Sequence, residues 1–251
     1  MAAVDTRPDE TTTVPPGPPP RTVYLIGALI LAALVVIAIV AALTWPRVTG
    51  QRAEGTAHTV TGDVHGRDHA TLDLVTGTTS VNVRAADLGD TLYQVESSQT
   101  PSVDDTDDRI EVHVTGGDAS VTIRLNRDVR WTVRFTAGSQ SNTADLRDLK
   151  HLAGVEYVGG VSSIDLTLPR PGGTVPVRVD GGASAVRVHA PDGAAVQVKA
   201  GGGAGRVAID GEEHNGISAG ATFASGGWET ATDRYDVDAV GGVSAITVDR
   251  Y

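Results

Sequence analysis

Apolar and polar residues alternate with a period of two along most of the chain after residue 57. Short runs of this kind, rich in Val, Ile and Thr and bounded by Gly, Pro, Asp or Asn, predict β-strands. Such runs occupy residues 70–75, 80–84, 91–95, 110–114, 120–125, 131–135, 163–168, 175–179, 185–189, 195–199, 206–209, 235–240 and 245–248. Helical spacing occurs at residues 145–152 (DLRDLKHL), where we expect one or two turns of helix. The pattern predicts an all-β fold.

A motif of two small residues, usually glycines, followed after three positions by alternating apolar residues recurs within this region. Clear copies start at residues 159 (GGVSSIDL), 181 (GGASAVRV), 202 (GGAGRVAI) and 241 (GGVSAITV), and looser ones at 76 (TGTTSVNV) and 116 (GGDASVTI). Successive starts lie 40, 43, 22, 21 and 39 residues apart, close to one or two steps of about 20 residues. This spacing is typical of stacked supersecondary units.

Each repeat contains one strand, a turn and a second strand before the next glycine pair. Glycine adopts positive φ without steric cost, so we expect each pair to form a tight corner. Small residues after the pair would let successive corners stack: Ser162, Ser184, Ser244 and Ala119. The prediction is a β-solenoid or stacked-sheet repeat domain over residues 58–251. A β-sandwich, whose strands recur every 8–12 residues, is the alternative.

The motif fails near residues 96, 138 and 220. The chain there reads SSQTPSVDDTDD, GSQSNTADL and AGATFASGGW. Insertions in repeat proteins usually form loops on one face. Because loops often carry binding residues, we expect any binding site at these interruptions.

The N-terminal part of the chain has a different character. Residues 1–22 include a proline-rich stretch and predict a disordered tail. Residues 23–45 form an uncharged apolar run whose first 22 residues would span about 33 Å as a helix, with Tyr24 and Trp45 as interfacial anchors. This run predicts a single transmembrane helix, followed by a linker at 46–57. A cleaved signal peptide fits less well, because the run is long and no small-x-small cleavage site follows it.

The orientation of this span is not set by charge. Arg7 and Arg21 precede the span, and Arg47 and Arg52 follow it, so the positive-inside rule gives a tie. A single span near the start of a chain commonly acts as an uncleaved signal anchor. We therefore expect a single-pass protein of the cell membrane whose C-terminal domain is extracytoplasmic.

Composition narrows the classes of partner and chemistry. The net charge is −11, which disfavours nucleic acid and anionic lipid headgroups as partners. The chain has no cysteine, which excludes disulfides, thiolate metal sites and cysteine nucleophiles. Aromatic residues make up 4% of the chain, so we expect a core of Val, Ile, Leu and Ala.

Two glycine-rich segments resemble catalytic or phosphate-binding motifs. Residues 216–220 (GISAG) match the G-x-S-x-G nucleophile elbow, which requires a helix after the serine and a histidine later in the chain. The sequence predicts no such helix, and no histidine follows His214. Residues 201–205 (GGGAG) lack the lysine and helix of a phosphate-binding loop. We interpret both as products of the glycine repeat and assign no catalytic or cofactor-binding residue.

Two clusters carry metal-ligating residue types. His65, Asp68 and His69 could converge on zinc, but no second cluster lies at a recognisable spacing. The acidic segment 104–108 could offer carboxylates to calcium, but it lacks the EF-hand pattern. We expect solvated turns at both, and likewise at Glu212 and Glu213, and assign no metal ligand. Whether either cluster binds a metal stays open at this point.

An anchor helix followed by G-G-x-S-x-φ-x-φ strands resembles the bacterial putative-adhesin β-strand-repeat domains. These are related to the C-terminal domains of membrane proteins in cell-wall-stress regulation. The resemblance covers residues 58–251 and rests on the copies at 116, 159, 181, 202 and 241. It implies a noncatalytic envelope protein without cofactors, adhesin-like or stress-sensing, that contacts a cell-wall polymer or envelope proteins. A surface hydrolase with an unrecognised active site is the alternative, and the oligomeric state is undetermined.

Overall fold

A computed structural model of the protein describes residues 58–116 and 118–251. These residues form nineteen strands and, within the same ranges, no helix, which confirms the all-β prediction. The strands are β1 (His58–Asp63), β2 (His69–Leu74), β3 (Thr78–Ala86), β4 (Thr91–Ser97), β5 (Pro101–Thr106), β6 (Arg109–Val114), β7 (Ser120–Asn126), β8 (Arg130–Phe135), β9 (Ser139–Asp145), β10 (His151–Tyr157), β11 (Val161–Thr167), β12 (Thr174–Val179), β13 (Ala183–Ala190), β14 (Ala195–Ala200), β15 (Ala204–Ile209), β16 (Glu212–Ile217), β17 (Ala221–Ala224), β18 (Arg234–Ala239) and β19 (Val243–Arg250).

The strands form two mixed sheets that share one hydrophobic core. The ten-stranded sheet has the order β1-β4-β7-β3-β9-β11-β13-β19-β15-β16, and the nine-stranded sheet has the order β17-β14-β18-β12-β10-β8-β2-β6-β5. Interior neighbours pair in parallel, whereas β1, β4, β5, β16 and β17 pair antiparallel at the ends. Parallel interior pairing separates this architecture from the antiparallel sheets of an immunoglobulin-type sandwich.

The repeat unit is a rung, by which we mean one strand in the nine-stranded sheet followed by one in the ten-stranded sheet. The rungs are β2–β3, β6–β7, β8–β9, β10–β11, β12–β13, β14–β15 and β18–β19. Their order in space differs from their order in the chain at both ends. The β6–β7 rung packs outside β2–β3, and the last rung, β18–β19, lies between β12–β13 and β14–β15.

Apolar side chains alternate between the core and the surface along the strands, as predicted. Val186 and Val188 of β13 are buried, while Arg187 between them is exposed. The core consists mainly of Val, Ile, Leu and Ala, with a few aromatic side chains among them. Phe135 and Tyr157 on neighbouring rungs stack with ring centroids 4.7 Å apart.

The glycine pairs at 159–160, 181–182 and 241–242 serve a different purpose from the one predicted. Positive φ was the expected reason for the repeat glycines. It is wrong for these three pairs, because none of their six residues has positive φ, whereas Gly203 in the copy at 202 does have positive φ, of 83°. The first glycine of each pair instead lies against the backbone of the next rung. A Cβ atom on Gly241 would lie 2.7 Å from the carbonyl oxygen of Gly181, well inside van der Waals contact. The first glycine of each of these pairs is therefore required by the close approach of stacked corners.

The helix predicted at residues 145–152 is absent. Strand β9 ends at Asp145, a turn follows, and β10 begins at His151. Leu146 and Leu149 are both buried, and this produces the helix-like spacing although the two residues belong to a turn. The Lys150 amide donates a hydrogen bond to the Arg127 carbonyl of the neighbouring turn at 2.9 Å, so rung-to-rung pairing replaces helical pairing.

The three interruptions of the motif prove to be two end caps and one ordinary rung, so the expectation of loops on one face is wrong. Near residue 96 the chain forms β4 and β5, and near 220 it forms β17, all antiparallel strands at the ends of the sheets. Such caps close a stack whose last rung would otherwise expose its edge. Near 138 the chain is strand β9, in which Asn142 occupies a core position between Val81 and Ile164.

The predicted tail (1–22), membrane span (23–45) and linker (46–57) lie outside the described residues. Among the residues that are described, no helix is long and apolar enough to cross a membrane.

Candidate functional site

The pairing of β2 with β6 brings the two predicted metal clusters together. Thr71 of β2 lies beside Arg109 of β6, so the start of β2 is next to the β5–β6 turn. His69 Nδ1 lies 2.7 Å from an Asp68 carboxylate oxygen, and Nε2 lies 2.9 Å from Asp108. His65 stands apart in the preceding turn, with φ of 48°. The cluster that forms is thus Asp68–His69–Asp108, which joins one residue of the acidic segment to two of the histidine segment.

The electrostatics of this cluster favour an imidazolium ion. The hydrogen bond to Asp68 and the charge of Asp108 raise the pKa of His69. The same hydrogen bond lowers the pKa of Asp68. In the protonated form, which these contacts favour, both ring nitrogens donate and no lone pair remains for a metal ion. No group of three or more His, Asp or Glu side chains suited to a metal ion occurs among residues 58–116 and 118–251.

The other aspartates of the acidic segment, residues 104–108, lie in different surroundings from one another. Asp105 accepts two hydrogen bonds from Arg67, at 2.6 and 3.1 Å. Asp104 lies 3.4 Å from His113 Nε2. Asp107 occupies the turn itself, with φ of 52°. These carboxylates do not converge on one point, as a calcium site would require.

The two glycine-rich segments form turns, residues 216–220 in an end cap and residues 201–205 at a corner of the repeat. Strand β16 ends at Ile217, and β17 begins at Ala221 after a short turn in which the Ala221 amide donates to the Ser218 carbonyl at 3.3 Å. Residues 216–220 therefore lack the strand–turn–helix context of a nucleophile elbow. Residues 201–205 form a repeat corner, in which a Cβ on Gly205 would lie 2.6 Å from the Ser244 carbonyl oxygen.

A row of alternating charges crosses the outer face of the nine-stranded sheet. Register places six residues side by side, in the order Asp73, Arg134, Glu156, Arg178, Asp238 and Lys199. Closest atoms of Arg134 and Glu156 lie 3.5 Å apart, and those of Lys199 and Asp238 lie 3.6 Å apart. Sequence reasoning missed this charge ladder because its members are neighbours only once the order of the rungs is known.

Asp73 is a buried member of the charge ladder, and the register continues beyond it to Glu111 and Asp104. Asp73 is 1% exposed and accepts hydrogen bonds from Arg109 and Thr136, both at 2.6 Å. A buried carboxylate needs partners of this kind to stay charged. Both carboxylate oxygens of Asp73 are therefore engaged by structural partners, and the group is not free to react.

The outer face of the ten-stranded sheet carries small polar side chains and a second histidine cluster. Neighbouring strands align Ser120, Ser80, Ser141 and Ser163 in one row. His189 lies between Asp249, on Nδ1, and Asp165, 3.3 Å from Nε2. Both broad faces of the domain thus present mainly short or mutually paired polar groups, an arrangement that suits extended contact better than enclosure of a small substrate.

Comparison with known proteins supports the fold. No family model matches the sequence, and no curated protein matches it. The structure is similar to that of a putative cell adhesion protein from Clostridium sporogenes, with a TM-score of 0.58 and 17% identity over 78% of this chain and 99% of that chain. Putative adhesins from Bacteroides fragilis and Parabacteroides merdae align over 76% and 79% of this chain and 96% and 97% of theirs. At 11% and 9% identity and TM-scores of 0.26 and 0.22, those two carry no argument.

The described residues thus form an all-β, two-sheet repeat domain with the fold of the Clostridium sporogenes protein. The predicted resemblance to bacterial putative-adhesin domains is confirmed at the level of the fold.

Proposed function

We propose that this protein is a membrane-anchored, noncatalytic component of the bacterial cell envelope, whose β domain contacts cell-wall material or other envelope proteins in an adhesin-like manner. The observation that carries this proposal is the likeness in fold to the Clostridium sporogenes cell adhesion protein over nearly all of that chain. The apolar run at 23–45 supplies the anchor, and the domain that follows it faces the outside of the cell.

The chemistry of the described surface supports binding over catalysis. His69 is solvent-exposed and held between two carboxylates, and Ser218 lies in a turn without the context of an activated nucleophile. A hydrolase needs a positioned nucleophile and base, whereas a binding module needs only a stable, accessible surface. A screen of esterase, peptidase and glycosidase substrates on the full-length protein provides the check. A robust activity that disappears in Ser218→Ala or His69→Ala would contradict the proposal.

Deletion of the gene separates an adhesin from a stress regulator. An adhesin predicts that deletion lowers binding of cells to surfaces or to isolated wall fragments and leaves envelope-stress transcription unchanged. Complementation with the full-length chain should restore binding. If deletion changes envelope-stress transcription and leaves binding intact, the adhesin proposal is wrong and the chain acts in regulation.

A further inference from the structure

A concave site lies at the edge of the stack opposite the glycine corners. It spans the turns that connect β9 to β10, β11 to β12 and β13 to β14, and its volume is about 520 Å³. Arg147, Lys150, Arg170, Asp192 and Tyr251 contribute to its wall. These residues come from four places in the chain and meet only because the rungs stack. We call this concavity the turn-edge site.

Tyr251 gives the turn-edge site a fixed aromatic surface. Its amide donates to the Ala190 carbonyl at 3.3 Å, and its hydroxyl donates to the Leu168 carbonyl at 2.6 Å. The Arg147 guanidinium lies 5.1 Å from the ring centroid. The residue is nevertheless 45% exposed, the largest exposure of any large hydrophobic residue in the described ranges. An aromatic ring that is held at both ends and still exposed offers contact area at little cost in conformational entropy.

Arg170 gives the turn-edge site an unpaired cation. Within the described ranges its side chain has no hydrogen-bond or ion-pair partner, although the chain carries a net charge of −11. Arg147 is paired with Asp145 at 2.8 Å, and Lys150 with Asp128 at 2.5 Å. The guanidinium of Arg170 is therefore free to form the paired hydrogen bonds that a carboxylate accepts.

The site also offers acceptors, which limits the class of ligand. The Asp148 and Asp192 carboxylates line the same cavity as Lys150 and Arg170, so the site presents both donors and acceptors. A ligand rich in hydroxyl groups can use both kinds of group, because each hydroxyl donates and accepts. An apolar ring face would pack on Tyr251, and a carboxylate would bind Arg170.

A peptide fits the turn-edge site less well. The turns already pair with one another through backbone hydrogen bonds, from Leu146 N to Thr167 O and from Leu168 N to His189 O, each 2.9 Å. No strand edge is therefore free there for a peptide to join, which is a common mode of peptide recognition.

We infer that the turn-edge site binds an acidic oligosaccharide, with a uronic-acid carboxylate on Arg170 and the adjoining sugar ring on Tyr251. The inference rests on the proposed function only for its biological setting, since it names the kind of wall or surface polymer that such a module would contact. Binding to the purified protein tests the site itself, whereas location on the cell is tested separately.

The test is isothermal titration of the full-length protein with tetragalacturonic acid. The matched comparison is Arg170→Ala against Arg187→Ala, because Arg187 is an exposed arginine on the outer face of the ten-stranded sheet, away from the site. Arg170→Ala should weaken binding about tenfold or more, as loss of a charge-assisted hydrogen-bond pair predicts. Arg187→Ala removes the same charge and should leave the affinity within about twofold. Both variants should keep the thermal transition of the parent protein.

Two further ligands and one further variant test whether the site recognises the carboxylate and the sugar ring. The fully methyl-esterified tetramer lacks the charge and should bind about tenfold more weakly to the parent protein. Tyr251→Ala should weaken both tetramers, since it removes the ring surface. The inference is overturned if tetragalacturonic acid does not bind or if Arg187→Ala weakens it as much as Arg170→Ala. It is also overturned if inorganic phosphate displaces the tetramer at equal concentration, which would indicate a small-anion site only.

Discussion

The most constrained single positions are the first glycines of the corner pairs, because backbone meets backbone there. At Gly241 a Cβ would approach the carbonyl oxygens of Gly181 and Asp180 at 2.7 and 2.8 Å. At Gly242, one residue later, the nearest atom would be the Gly202 carbonyl oxygen at 3.8 Å, an ordinary contact. Two adjacent glycines in one motif thus differ in the reason for their presence.

This difference predicts a large loss of stability for one substitution and almost none for its neighbour. Gly241→Ala should lower the free energy of unfolding by about 2 kcal/mol or more, because the stacked backbones must separate to admit a methyl group. Gly242→Ala should change it by less than about 0.5 kcal/mol, because φ is unremarkable and space is available. Urea unfolding of both variants measures the difference. Equal losses would show that corner packing is not what selects glycine at position 241.

His69 is the position where ionisation should be most visible. Hydrogen bonding to Asp68 and the charge of Asp108 raise the pKa of its imidazole above the ordinary value. With a raised folded-state pKa, the protonated form stabilises the fold below the unfolded-state pKa, and this contribution is lost as pH rises through the folded-state pKa. NMR titration should show His69 losing its proton at higher pH in the parent protein than in Asp108→Asn.

Asp107→Asn is the matched control for that titration. Asp107 lies in the same turn and contributes a similar exposed charge, and asparagine tolerates its φ of 52°. The pKa of His69 should change less in this variant than in Asp108→Asn. An equal change in both variants would mean that the general charge of the turn, and not the contact with Asp108, sets the ionisation.

Among the elements, neighbouring strands of the nine-stranded sheet carry opposite charges side by side on their outer face, in the charge ladder. Arg178 of β12 lies in register between Glu156 of β10 and Asp238 of β18. Its closest approach to Asp238 is 3.8 Å. Single exposed pairs of this kind contribute little, but like charges directly opposite one another on adjacent strands destabilise a sheet.

Charge reversal at Arg178 therefore tests the charge ladder. Arg178→Glu would set three carboxylates side by side and should lower the unfolding free energy by about 1 kcal/mol. The loss should shrink as salt rises toward 1 M, since salt screens partly exposed charges. Arg178→Gln should cost less, because it removes attraction without adding repulsion. If the loss does not depend on salt, its cause is lost packing of the aliphatic part of the Arg178 side chain and not charge repulsion.

The strands that sequence reasoning found and missed differ in how much apolar surface they bury. Alternation identified most interior strands, such as β7 and β13, because one face of each lies in the core. It found the end strand β4 but missed β1, β5, β16 and β17, and in β16, for example, the residues are mostly exposed and include Glu212 and Glu213. It also missed two interior strands: β9, whose buried side chains include the polar Asn142, and β10, whose pairing is irregular at Gly154. Edge and polar strands lack the periodic signal on which such predictions depend.

At the scale of the whole molecule, the order of the rungs is the property least visible in the sequence. The repeat spacing predicts stacking but not that β18–β19 inserts between two earlier rungs. For the same reason, neither the Asp68–His69–Asp108 cluster nor the turn-edge site could be located beforehand. Arg147, Arg170 and Tyr251 are far apart in the chain and meet only through the stack.

This insertion predicts an unusual response to truncation. In a stack that follows chain order, loss of the last rung shortens one end and leaves the rest folded. Here a chain that ends at residue 233 would lose a rung between β12–β13 and β14–β15, and we expect it to lose the cooperative thermal transition seen by circular dichroism. A chain that ends at residue 250 keeps the rung and should retain the transition. Retention of the parent transition by the 233-residue chain would contradict the described topology.

The proposed function depends above all on where the β domain lies relative to the membrane. Protease shaving of intact cells, with immunodetection of the C-terminal domain, measures this directly. We expect external protease to remove the domain from intact cells while a cytoplasmic control protein stays whole. Protection of the domain in intact cells, together with cleavage after lysis, would place it in the cytoplasm and contradict the proposal of an envelope-facing binding module.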